Sequence, residues 1–112
     1  MCFIDANGLR CGRDGVKRIP DEKEIKTAEA WIKTCCRPMK TINRKFSSYG
    51  LKHRAEDWGA LMNKHFNTNI FEPYVSNGAF IQAAKNLGYS PYPVDFNNPN
   101  AYFRMAVRCG NI

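Results

Sequence analysis

The stretch SNGAFIQAAKNLGYSPYPVDFNNPNAYFRMAVRC, residues 76–109, changes its hydrophobic period halfway along, and that change decides the fold class. Phe80, Ala83, Ala84 and Leu87 recur at i, i+3, i+4 and i+7, one face of a helix. Ser76-Asn77-Gly78 supplies capping residues before it and Gly88 a stop after it. Three prolines and three asparagines then make SPYPVDFNNPN a rigid polar loop. From Ala101 onward Phe103, Met105 and Val107 alternate with Tyr102, Arg104, Ala106 and Arg108, the period of two that sends successive side chains to opposite faces of a strand. One side of that strand reads as core. The other carries a tyrosine and two arginines.

Working outward, Leu51, Ala55, Trp58 and Met62 form a second helical stripe, expected to start at Ser47 or Ser48 as N-cap, with Lys52 and Arg54 turned away from it. Gly59 marks close packing or a break in that helix. An earlier helix is expected from Pro20, with Asp21, Glu22 and Glu24 at its positive end and a stripe of Ile25, Ala28, Ile32, Cys35 and Cys36. Pro38 ends it. Residues 2–11 read as a hairpin around Asn7-Gly8, because both residues tolerate the positive φ of tight hairpin turns. Gly12–Pro20 is a polar connector. The expectation is a single α+β domain over residues 1–112, with about three helices and a small antiparallel sheet from the N-terminal hairpin and the C-terminal strand.

At 44% hydrophobic and 24% charged, the chain has the composition of a folded domain with one core. No apolar run reaches the ~18 residues of a membrane span, and the N-terminus lacks the pattern of a secretory signal. Five cysteines without framework spacing fit a reducing compartment, so a cytoplasmic location is expected, with Cys35 and Cys36 as two small buried side chains.

The net charge of +7 is local. Between Ala30 and Ala55 lie Lys33, Arg37, Lys40, Arg44, Lys45, Lys52 and Arg54 with no Asp or Glu, which equals the charge of the whole chain. A basic stripe neutralises phosphates and releases their counterions. Ser48 and Tyr49 add hydroxyls near a helix N-terminus, and Arg104 and Arg108 form a second basic set. The first function expected is therefore a non-enzymatic protein binding nucleic acid or a nucleoprotein through a basic helical surface. Neither a metal nor a cofactor is implied: His53 and His65 stand twelve apart with no cysteine at ligand spacing, and ANGLRCGRDG lacks the Lys-Ser/Thr of a phosphate loop. A Cys35 or Cys36 pairing with His53 as nucleophile and base has no third group to orient it.

Three stretches, TINRKFSSYGLKHRAEDW (41–58), YVSNGAFIQAAKNLGY (74–89) and NPNAYFRMAV (98–107), resemble a set of small proteins carried by bacteriophages, plasmids and integrated elements. The resemblance implies an accessory protein of a mobile element and transfers no functional residue. Proteins of that kind regulate transcription or replication, or obstruct host defence complexes as anti-CRISPR and antirestriction proteins do. The alternative function is thus a protein-binding inhibitor of a host defence complex, with Tyr49, Trp58 or Tyr92 and one or two arginines at its centre.

Overall fold

The computed structural model describes residues 2–11, 18–95 and 97–109, so the Gly12–Pro20 connector lies largely outside the described residues. The order of elements is β1 (Cys2–Asp5), β2 (Gly8–Cys11), α1 (Glu22–Cys35), β3 (Cys36–Asn43), α2 (Ser48–Phe66), α3 (Asn77–Asn86), β4 (Tyr92–Pro93) and β5 (Ala101–Val107). The fold is α+β with three helices, and the N-terminal hairpin and C-terminal strand are both present. They stand in separate sheets. β1 and β2 form a two-stranded hairpin, while β5 lies between β3 and β4 in an antiparallel sheet of order β3-β5-β4.

β3 is the element that period counting passes over. Half of its side chains are polar and only Cys36 is fully buried, with no alternation to mark it. Pairing with β5 makes it a strand: Cys36 sits opposite Val107, Arg37 opposite Ala106 and Pro38 opposite Met105. Beyond Pro38 the register shifts before Asn43 meets Phe103, a bulge that leaves the edge strand irregular. Asn43 repairs the gap by donating its side-chain amide to the Met105 carbonyl at 3.0 Å. The proline-rich loop likewise yields a short strand, since Tyr92 and Pro93 pair with Tyr102 and Ala101.

The helices begin where capping chemistry directs. Asp21 caps α1, its carboxylate accepting from the N–H groups of Lys23 and Glu24 at 3.0 and 3.1 Å. Ser76 caps α3 by accepting from Ala79 N–H at 3.1 Å. Ser47 precedes α2 without a side-chain cap bond. Gly59 does not break α2: a Cβ there would lie 3.1 Å from Phe71 Cβ, so glycine allows the following loop to pack close.

The core joins all three helices to β5. Trp31 of α1 meets Phe80 of α3, and Phe80 meets Phe103 of β5 edge to face, both at 5.9 Å between ring centroids. Ala79, Ala83 and Ala84 are fully buried and let neighbouring elements approach α3 closely. Its N-terminus also presses against the hairpin, where a Cβ on Gly78 would collide with the Asp5 carbonyl oxygen and Gly78 N–H donates to Ala6. The link from α2 to α3 is held by side chains rather than by a sheet. Thr27, Glu56 and Glu24 accept from the backbone N–H of Glu72, Val75 and Ser76, and Asn63 bonds both polar groups of Phe71. Otherwise unpaired backbone donors are thereby satisfied.

Two disulfides pair four of the five cysteines, Cys2 with Cys11 across the hairpin and Cys35 with Cys109 from the end of α1 to the second residue after β5. This corrects the reading of a reduced set. Spacing along the chain gave no hint of a bond spanning 74 residues, because only the β3–β5 pairing brings its ends together. Disulfides persist in oxidising compartments, so the cysteines no longer argue for a cytoplasmic location.

Candidate functional site

The expected basic helical surface divides into two places with different chemistry. Lys33 lies in the last turn of α1; Arg37 and Lys40 lie on β3, Arg44 and Lys45 in the turn after it, and all five are exposed. Four of the seven basic residues of the window therefore lie on strand and turn, because β5 recruits residues 36–43 into a sheet. Arg104 projects from β5, and the exposed Arg108 follows just beyond its end.

The pleat determines which of these share a face. Phe103 and Met105 point into the core, so Tyr102, Arg104 and Ala106 point outward. Directly opposed residues in an antiparallel pair lie on the same side. Arg37, opposite Ala106, and Tyr92, opposite Tyr102, thus join the outward face. Arg104 lies over the Tyr92 ring at 5.4 Å and Arg44 over the Tyr102 ring at 5.9 Å, each within cation–π range. No Asp or Glu occurs in β3, β4 or β5. A shallow cavity of about 300 Å³ adjoins this face, between Tyr92, Arg104 and the Leu87–Ser90 turn.

The helical half of the prediction is corrected at two residues. Ser48 is completely buried, and its hydroxyl accepts from Ala101 N–H at 3.0 Å, holding the start of β5 to α2. It cannot also reach a phosphate. Lys52 is only 5% exposed. Its ammonium donates to Glu56 Oε2 at 3.1 Å and lies over the rings of Tyr74 at 4.5 Å and Tyr49 at 5.6 Å. A hydrophobic stripe assigns Lys52 to the wet side of α2, but the Tyr74 segment crosses that side and covers it. Arg54, half-buried, stacks on Phe46 at 4.8 Å. Tyr49 remains exposed.

Around Lys52 the chain forms a cleft of about 550 Å³, lined by Tyr49, Lys52 and His53 of α2, Tyr74 and Asn77 before and at the start of α3, and Asn100 before β5. The hairpin turn at Asn7 closes another side. Glu56 lies at the centre of its polar network: one oxygen holds Lys52 and Val75 N–H, the other faces His53 Nδ1 at 2.9 Å. Asn77 donates its amide to the Asn7 and Pro99 carbonyls and to Asn100 Oδ1, while its own Oδ1 is buried with no partner among the described residues. Gly8 must be glycine beside this network, with φ of +136° and no room for a Cβ against Pro99 and Asn77.

Tyr74, Asn77 and Asn100 escape composition-based reasoning because they are uncharged and distant in sequence. Glu56, which reads as half of an ordinary acidic pair with Asp57, carries one usable signal, its i, i+4 spacing from Lys52. Neither thiol considered as a nucleophile can serve as one. Cys35 is disulfide-bonded, and burial pushes the Cys36 thiol from an ordinary value near 9 up to about 12, with neighbouring Arg37 opposing the shift. Burial likewise raises the Tyr89 phenol, with the Cys36 charge adding and Arg37 opposing. Among the described residues no group of three or more His, Cys, Asp or Glu is placed to hold a metal ion, and no helix is long and apolar enough to cross a membrane.

Comparison with known proteins finds no matching family, no matching curated protein and no matching solved structure. The site must be read from its own chemistry.

Proposed function

We propose that the protein binds single-stranded nucleic acid across the outward face of the β3-β5-β4 sheet, as a binding protein rather than an enzyme. One observation carries this reading: Arg104 on Tyr92 and Arg44 on Tyr102, two arginine–tyrosine pairs on a sheet whose strands hold no acidic residue. Guanidinium groups neutralise phosphates and present donors to their oxygens. Tyrosine faces accept stacked bases of any sequence. Bases in a duplex are already stacked on one another, so rings lying along a sheet suit an unpaired strand. Arg37, Lys40, Lys45 and Arg108 extend the positive field around this centre.

Fluorescence anisotropy with single-stranded RNA, single-stranded DNA and duplex DNA at two salt concentrations tests the proposal. Single strands should bind most tightly, with log affinity falling by about 0.7 per neutralised phosphate for each tenfold rise in salt. An Arg37→Ala/Arg104→Ala double variant should bind more weakly and with a smaller salt slope. Absence of binding at low salt sinks the proposal and favours the inhibitor reading, in which an aromatic-centred protein interface responds weakly to salt.

A further inference from the structure

We propose that the Lys52 cleft is a pocket for one nucleobase bearing a carbonyl oxygen, presented by a mononucleotide or by one residue of a strand. The inference deepens the nucleic-acid reading, with the cleft as its base-recognising part. A volume of about 550 Å³ falls within the range of roughly 300–1,000 Å³ typical of small-molecule pockets. Tyr49 and Tyr74 stand at the cleft with more than half their surface in solvent, 54% and 57%. Large aromatics held out of the core in this way offer flat surfaces for a planar ring.

The floor selects the edge of that ring. Lys52 has three N–H donors and, among the described residues, one oxygen partner, Glu56, with the Tyr49 and Tyr74 rings beside it. A carbonyl oxygen entering here gains a charge-assisted hydrogen bond. Glu56 already balances the ammonium charge, so the floor favours a neutral polar acceptor over a free phosphate or carboxylate. Asn100 spends its oxygen on Asn77, which leaves its amide N–H groups without a partner among the described residues. Both floor and wall thus present donors, and a base edge rich in acceptors fits them.

The position of the cleft joins it to the sheet face. Asn100, in the cleft wall, lies just before the start of β5 and two residues before Tyr102. The cleft thus adjoins the end of β5 that carries Tyr102.

The test is an NMR titration of the intact protein with inosine monophosphate, adenosine monophosphate and inorganic phosphate. The two nucleotides differ along one base edge, where inosine carries a carbonyl oxygen and an N1–H in place of adenosine's amino group and unprotonated N1. Inosine monophosphate should shift the Tyr49, Tyr74 and His53 ring signals and bind several times more tightly than adenosine monophosphate. Tyr74→Ala, a change at an exposed side chain, should weaken it about tenfold. Equal affinity for the two nucleotides, insensitivity to Tyr74→Ala, or reproduction of the shifts by phosphate alone overturns the proposal. If oligonucleotides bind in a salt-dependent, Arg104-dependent manner while nucleotides leave the cleft signals unmoved, the sheet reading stands and the pocket falls. Nucleotide binding in the cleft without oligonucleotide affinity upholds the pocket and sinks the sheet reading.

Discussion

Lys52 and Arg104 are both cations beside tyrosines, and the fold uses them in opposite ways. Lys52 is covered, held by Glu56 and stacked against two rings, so its charge is part of what joins α2 to the segment before α3. Arg104 projects from an exposed sheet face with a tyrosine beneath it and no acidic residue on its own or neighbouring strands. Burial separates the two roles. An ion removed from water must be paired to be tolerated, and its partner then depends on it. An exposed cation remains available for an external anion, and contributes little to stability.

The largest effect should come from neither cation but from the frame of the sheet face. The Cys35–Cys109 bond closes a loop across 74 residues of separation, for which chain-entropy reasoning gives about 4 kcal/mol. Urea unfolding of Cys35→Ser/Cys109→Ser should show a loss approaching that figure. A loss no greater than that from removing the short Cys2–Cys11 loop would mean that β3–β5 pairing holds the face unaided.

Lys52→Ala should follow, at about 3 kcal/mol, because it leaves Glu56 partly buried without its ammonium. Chemical denaturation measures this directly. A loss under about 0.5 kcal/mol, the range of ordinary surface substitutions, would erase the contrast with Arg104. Ser48→Ala should cost about 1–2 kcal/mol by leaving the buried Ala101 N–H without its acceptor. Amide exchange at Ala101 should accelerate in the same variant. If exchange there is unchanged, the hydroxyl does not hold β5. Arg104→Ala closes the series. Its melting temperature should stay within about a degree or two of the parent, as expected for an exposed side chain, while single-strand affinity drops. Destabilisation comparable to Lys52→Ala would assign Arg104 a structural role as well.

How much of this is legible without coordinates differs between elements. α3 and β5 are readable because local periodicity, capping residues and breakers agree over residues 76–107. β3 is not, since an edge strand whose polar and apolar side chains do not alternate has no pattern of its own and forms by pairing with β5. Tyr102 followed by two arginines is visible in the alternating sequence, whereas Tyr92, opposite it, requires the register. The basic window is legible as charge, but charge carries no information about burial. Lys52 and Arg37 are alike in composition and unlike in surroundings.

The sequence by itself determined the three helices, the N-terminal hairpin, the C-terminal strand and the concentration of positive charge between residues 30 and 55. These follow from interactions within a few residues, namely periodicity, capping and turn preference. The tertiary structure alone decided the pairing of β3 with β5, the Cys35–Cys109 bond, the burial of Lys52 and Ser48, and the meeting of Tyr49, Tyr74, Asn77 and Asn100 around one cleft. Each depends on contacts between distant segments, whose partners are chosen only when the whole core closes.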